Sequence, residues 1–309
     1  GVPVVQTLHN YRLICPNGIF LREGRPCEEC ALHGPWRAVR YGCYQGSRLK
    51  TAAVAHYLAR SRRRGIWRDL VDVFVAPSEF ARTKLVAAGV PATRIAVKPN
   101  CVVDAPSPAR TEGTGVVFIG RLSAEKGADV LAAAAAASGV AARILGDGPD
   151  RALLARRAAP YPAIELRGAC GRAEIWDAIV EARAVVVPSR TYEGCPMAVL
   201  EAFAAGRPVI AARLGALEEL VQEGETGLLF APADVADLAR CLAWSETHPA
   251  EMRAMGRRAR DQFECRFAPE AGYRALLAVY QRAAAAAPSI GVPPGAFADA
   301  ITHIARSNR

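Results

Sequence analysis

The sequence predicts an α/β protein of two doubly wound, parallel-sheet units, and three observations carry that expectation. The chain has 309 residues, long for one hydrophobic core and comfortable for two. Short apolar runs alternate with helix-period segments along most of its length, the pattern of parallel strands joined by crossover helices. One stretch, "PNCVVDAPSPARTEGTG" at residues 99–115, breaks the alternation with Pro, Gly and small polar residues and has the composition of a hinge.

Residues 3–9 form an apolar run ending in polar groups, a buried strand whose carboxyl end meets solvent. Residues 10–46, rich in Gly, Pro, Cys and Arg, read as too polar and too broken for regular structure. A helical pattern follows over 49–64, then a strand in "VDVFVAPS" at 71–78, with Ser78 placed to cap a helix that stops at Gly89. A strand near "RIAVKPN" comes next. Beyond the hinge, strands are expected at 115–119 and in "ARILG", "AIELRG", "AVVVPS", "PVIAA" and "GLLF". Helices are expected after them at 126–137, from 149, at 172–182, 196–205 and 216–222, and from Pro232. Two further helices fall near 249–264 and 269–286, and the chain from Pro288 onward reads as a loose tail with room for a short terminal helix. The expected division is residues 1–108, with the Cys-containing loop 10–46, then 109–265, then a C-terminal helix and tail over 266–309.

Charge and cysteine content narrow the partners. Residues 1–108 hold 16 Lys or Arg against 7 Asp or Glu, a surplus equal to the whole-chain net charge of +9. Arg60, Arg62, Arg63, Arg64 and Arg68 are its densest part, which fits either an anionic partner or a solvated helix face. The basic residues are not interleaved with stacking aromatics, so nucleic acid is not an expected partner. No run of about 18 apolar residues is present and residues 1–10 lack a signal-peptide pattern, so the expected location is cytoplasmic. Nine cysteines cannot all pair within the chain. Cys15, Cys27, Cys30 and Cys43 follow C-x11-C-x2-C-x12-C, which leaves open a structural Zn²⁺ site or four reduced thiols.

Chemistry concentrates where strands of the second unit end, since ligands of doubly wound sheets lie at carboxyl edges, where helix N-termini offer free N–H groups. "FIGRLSAEKG" sets Arg121 just past a strand and Lys126 at the next helix start, two cations suited to a diphosphate. "LGDGPD" places Gly146 and Gly148 at a tight turn a ligand can approach closely. "PSRTYEGCPMAVLEA" carries Glu193 in a loop, Gly194 for close contact, Pro196 at a helix start, and Glu201 about one and a half turns in. The amides from Gly194 through Cys195 to Met197 can face an anion or hydroxyl there. A carboxylate accepts paired hydrogen bonds from a vicinal diol, so carboxylates on either side of a phosphate-binding helix start point to sugars on either side of the phosphates. The Cys195 thiol, without a His or Asp neighbour in sequence, reads as a small space-filler.

"GRLSAEKG", "LGDGPD", "PSRTYEGCPMAVLEAFAAGRPVIA" and "GETGLLF" together resemble the retaining nucleotide-sugar glycosyltransferases of family 4, over residues 70–285. The resemblance implies a GT-B fold, two Rossmann-like domains facing a cleft. It implies a donor held by Arg121 and Lys126 on the diphosphate, Glu201 on the ribose, and Glu193 with neighbouring amides on the sugar. It also implies retaining transfer without a catalytic metal or other cofactor, by front-side displacement in which the leaving diphosphate helps deprotonate the acceptor hydroxyl. His9, ending the first strand, matches a histidine on the acceptor side of the family's cleft. The sequence opens at what resembles the middle of the family's first domain, so an incomplete acceptor domain is expected, with part of its sheet uncovered. The implied acceptor is a glycan or a polyprenyl-diphosphate-linked sugar, as in exopolysaccharide assembly, with peripheral contact at the inner, anionic membrane surface. Alternatives are an inactive nucleotide-sugar-binding partner, or a GT-B epimerase or phosphorylase. A nicotinamide dehydrogenase is disfavoured, because no G-x-G-x-x-G follows a strand at the required spacing.

Overall fold

A computed structural model describes residues 2–109 and 112–286; the expected tail and short terminal helix lie outside the described residues. In the first part, β1 (Val5–Thr7), β4 (Val73–Ala76) and β5 (Ile95–Val97) form a parallel sheet in the order β1-β4-β5, and β2 (Leu21–Arg22) pairs antiparallel with β3 (Arg25–Pro26). Helices α1 (Glu29–His33), α2 (Arg37–Tyr41), α3 (Arg48–Arg63) and α4 (Ile66–Asp69) lie between β3 and β4, and α5 (Glu79–Ala87) between β4 and β5. Ser78 caps α5 as expected, its hydroxyl accepting from the Ala81 amide at 3.2 Å.

The second part is a six-stranded parallel sheet of β6 (Val116–Ile119), β7 (Ala142–Leu145), β8 (Ile164–Gly168), β9 (Ala184–Val187), β10 (Val209–Ala212) and β11 (Gly227–Phe230). Its crossovers are α6 (Ala128–Ser138), α7 (Arg151–Ala158), α8 (Arg172–Glu181), α9 (Met197–Ala204) and α10 (Ala216–Leu220). After β11 come α11 (Val235–Thr247), α12 (Pro249–Arg266) and α13 (Pro269–Ala286). The spatial order β11-β10-β9-β6-β7-β8 reverses direction between β6 and β9. In a doubly wound sheet that reversal opens a crevice at the carboxyl edge. Strands β9 and β10 are buried at every position, because helices cover both faces.

Two expectations need correction. Residues 10–46 are not structureless: Tyr11, Leu13, Ile14, Cys15 and Phe20 are buried and join Phe74, Ala76, Ala81 and Leu85 in one core. The stretch looks polar only when its sparse apolar residues are counted by average rather than by where each one lands. Pro232 does not open a helix; α11 starts three residues later, where the Asp234 side chain accepts from the Asp237 amide at 3.0 Å.

Alternation along β4 explains how both faces of the small sheet are covered. Phe74 and Ala76 face the loop core, while Val73 and Val75 face α13, where they meet Val279 and Ala283. The last described helix therefore returns from the larger sheet to the smaller one. One face of the small sheet is covered there, and a fully buried valine contributes about 1.5–3 kcal/mol.

Candidate functional site

The three loops singled out by sequence converge on the reversal point, because they follow β6, β7 and β9, the strands at and beside it. Backbone close approach locks them. A Cβ on Gly146 would sit 1.8 Å from the Gly120 carbonyl oxygen, and its φ of 144° disfavours any side chain. Gly127 brings the β6 loop against the Pro188 carbonyl in the same way. Arg190 then ties the β9 loop to α6 with two bonds to Asp129 at 2.9 and 2.8 Å, a bidentate pair.

Within this frame Lys126 and Glu193 meet, 2.7 Å from Nζ to Oε1, and the Ser189 hydroxyl donates to the same Glu193 oxygen at 2.6 Å. Lys126 stands on a 3-10 turn, Ala124–Lys126, just ahead of α6 rather than in its first turn. Arg121 is exposed and pairs with no carboxylate among the described residues. Gly146 forms the floor of the neighbouring turn.

Helix α9 begins after Pro196 with no side chain capping it, and Met197, its first residue, is exposed at that mouth. Its early amides are therefore open to a ligand. Glu201 lies deeper; burial raises its pKa and the Arg172 guanidinium, 3.7 Å away, opposes the rise. Arg172 is fixed in turn by a 2.9 Å bond to the Val103 carbonyl and by the Trp176 ring beneath it. Cys195 is buried and its thiol is pushed up to about 11, chiefly by burial, so it is an inert space-filling group at neutral pH.

The first sheet presses on the same loop. Tyr11 donates its hydroxyl to the Glu193 carbonyl at 3.2 Å, Thr191 bonds the Ile19 carbonyl, and the Asn100 amide donates to the Cys195 carbonyl at 3.0 Å. Gly194 fits because a Cβ there would lie 3.1 Å from Pro77 and 3.7 Å from the His9 carbonyl oxygen. His9, exposed at the end of β1, lines a crevice of about 10 Å³ with Tyr11, Pro77 and Gly194. The seam thus sets His9 beside Gly194 and pairs Lys126 with Glu193, while Gly146, Met197 and Glu201 stand on the loop after β7 and on α9. Arg172, Ser189 and Tyr11 were missed in the sequence. Ser189 and Tyr11 lie beside flagged positions and were within reach; Arg172 carries no local signal, because its partner is 29 positions away.

The four early cysteines are free thiols. Cys15 and Cys30 are buried, Cys27 and Cys43 half-buried, and burial with Cys15, Cys43 and Cys27 nearby pushes the Cys30 thiol up to about 12. No three His, Cys, Asp or Glu side chains among the described residues form a group able to hold a metal ion. The loop has an apolar core of its own around Tyr11 and Phe20.

A cavity of about 570 Å³ opens at the far end of α9, lined by Arg183, Arg207, Arg253, Arg257, Arg258 and Arg260. Four of these arginines already face Glu246, Glu112, Glu225 and Glu264.

Comparison with known proteins agrees with this geometry. The family model for glycosyl transferases group 1 matches residues 113–245. A glycogen synthase of Mycobacterium tuberculosis is 33% identical over 166 residues, 51% of this chain and 40% of that protein. A D-inositol 3-phosphate glycosyltransferase of Rhodococcus opacus is 30% identical over 275 residues, 82% of this chain and 56% of that protein. The chain thus spans about half the length of these relatives. Among solved structures, the Anabaena protein HepE in complex with UDP superposes with a TM-score of 0.66 at 20% identity, covering 92% of this chain and 71% of that one. Sucrose-phosphate synthase from Thermosynechococcus elongatus gives 0.67 at 21% identity, covering 92% and 68%. These likenesses establish the GT-B fold. Residues 113–245 of this chain thus resemble a glycosyl transferases group 1 domain, carried on that fold.

Proposed function

We propose that the protein is a retaining, metal-independent glycosyltransferase that moves a sugar from a nucleotide diphosphate sugar to a glycan or lipid-linked acceptor. The observation that carries this reading is the Lys126–Glu193 pair at the reversal point, beside an uncapped helix start with Glu201 behind it. Arg121, Lys126 and the α9 amides hold the diphosphate, and their positive charge stabilises the leaving group as the sugar–phosphate bond breaks. Glu193, with the Gly194 to Met197 backbone, grips the sugar hydroxyls; Glu201 takes the ribose. His9 faces the sugar from the acceptor side. The acceptor hydroxyl attacks the face the diphosphate leaves, and its proton passes to that departing group. Residues 1–108 serve as the acceptor side and 109–265 as the donor side.

HepE is described in complex with UDP-glucose, so a UDP-sugar is the first donor to try. The acceptor side supports a lipid-linked substrate. Between Ala31 and Arg68 the chain carries nine Lys or Arg and no Asp or Glu, which equals its whole net charge. Trp36, Leu49 and Tyr57 are exposed on the same segment. A basic surface with exposed aromatic and aliphatic groups suits peripheral contact with an anionic leaflet at the inner membrane face. No helix among the described residues is long and apolar enough to cross a membrane.

Thermal-shift screening with UDP-, GDP- and ADP-sugars tests the reading. The cognate donor at about 100 times its Kd adds about 2.7 kcal/mol to stability and raises Tm. A chain that no nucleotide sugar stabilises is not a glycosyltransferase of this kind. Transfer or hydrolysis of the stabilising donor eliminates the binding-only alternative.

A further inference from the structure

The two sheets are joined at a second place, and its charged partner is outside the proposed donor contacts. Glu219 lies on α10, which follows β10 of the larger sheet. Its two carboxylate oxygens reach across the seam and accept from the backbone amides of Glu79, at 3.1 Å, and Phe80, at 2.9 Å. These are free donors at the head of α5, a helix of the smaller half. Ser78 satisfies the Ala81 amide from within that half, so the remaining capping is supplied by the opposite one. A carboxylate facing two amides at a helix N-terminus gains charge-assisted bonds and a favourable dipole together.

The Phe80 side chain gives the contact a role. Its ring meets Tyr192 edge-on, with centroids 4.8 Å apart. Gly215, at the entry to α10, is pressed against both rings, since a Cβ there would lie 3.1 Å from each. The Tyr192 hydroxyl donates to Glu28 at 2.8 Å, and Lys84 of α5 holds the same Glu28 oxygen at 2.6 Å. Tyr192 immediately precedes Glu193. A continuous path therefore runs from the Glu219 carboxylate to the α5 head, to the Phe80 ring, to Tyr192, and to the loop that carries Glu193.

We propose that Glu219 is a positioning residue for the sugar subsite: by clasping the head of α5 it seats Phe80 against Tyr192 and fixes the loop that presents Glu193. This rests on the sugar-transfer reading above. Glu219 touches neither donor nor acceptor in this scheme. Its removal affects recognition of the sugar and leaves recognition of the nucleotide alone, because the path from Glu219 ends at the Glu193 loop, whereas Arg121 follows β6 and Glu201 stands on α9.

The test compares Glu219→Gln, which keeps shape and loses charge, with Ser78→Ala, which weakens the same helix start without crossing the seam. Amide hydrogen exchange of the full chain reads the α5 head, with the strands β6 to β8 as a control for folding. Calorimetry reads the affinities for the donor selected by thermal shift and for its bare nucleotide. In Glu219→Gln, exchange at Glu79 and Phe80 rises at least tenfold and the preference for sugar-bearing over bare nucleotide falls at least fivefold, with bare-nucleotide affinity held within twofold. Ser78→Ala frays α5 but keeps the sugar preference. If Glu219→Gln also keeps the preference, Glu219 is only a helix cap and the inference is wrong. If both variants lose it equally, fraying rather than the clasp is responsible, and the inference is again wrong. A wild-type chain that binds no nucleotide removes the sugar-transfer reading itself, an outcome distinct from either.

Discussion

At the residue scale, two carboxylates eight positions apart occupy different electrostatic settings. Glu193 is met by Lys126 and Ser189 at the mouth of the crevice, whereas Glu201 is half-buried on α9 with Arg172 as its counter-charge. A division of labour follows from those settings. Glu193→Ala is expected to abolish transfer while sparing affinity for the bare nucleotide. Glu201→Ala removes hydrogen bonds to a charged group, worth about 1.5–3 kcal/mol, and weakens the nucleotide itself roughly 10- to 150-fold. Titration calorimetry with bare nucleotide checks both; equal losses in the two variants defeat the assignment.

At the element scale, the site depends on turns that let backbones touch. The β7 loop meets the β6 loop at Gly146, whose missing side chain leaves room for the Gly120 carbonyl. Adding a methyl group forces the two strand ends apart and strains a φ that alanine avoids. Gly146→Ala is therefore expected to destabilise the protein by about 2 kcal/mol or more, with a lower urea midpoint at an unchanged slope. A midpoint equal to the wild type's would show that the loops have slack. Gly227 makes the same kind of close approach, to the Val209 carbonyl, at the far edge of the sheet. There it concerns strand packing and not the site.

At the scale of the whole molecule, α13 and the seam around Tyr192 make one body of two sheets. Val279 and Ala283 of α13 complete the core over Val73 and Val75. An unpaired charge buried there costs several kcal/mol. Val279→Asp is expected to loosen β1, β4 and β5 while the six-stranded sheet stays folded. Hydrogen exchange should rise in the small sheet alone, and bare-nucleotide affinity should persist. A uniform rise across both sheets would mean that they fold as a single cooperative unit.

The sequence by itself determined the alternating α/β architecture, the six parallel strands of the larger sheet and the loops at its carboxyl edge, because hydrophobic period, proline and glycine placement act over a few neighbouring residues. It also marked Glu193 and Glu201 as chemically unusual in an apolar stretch, and Lys126 as a cation at a helix start. Only the tertiary structure decided that Lys126 pairs with Glu193, that Arg172 faces Glu201, that Glu219 reaches α5, and that α13 covers the first sheet. It also decided that the cysteine-bearing loop has a core of its own. Each of these joins residues tens to hundreds of positions apart, and such contacts are set by how layers stack and where strand order reverses, which no local pattern encodes.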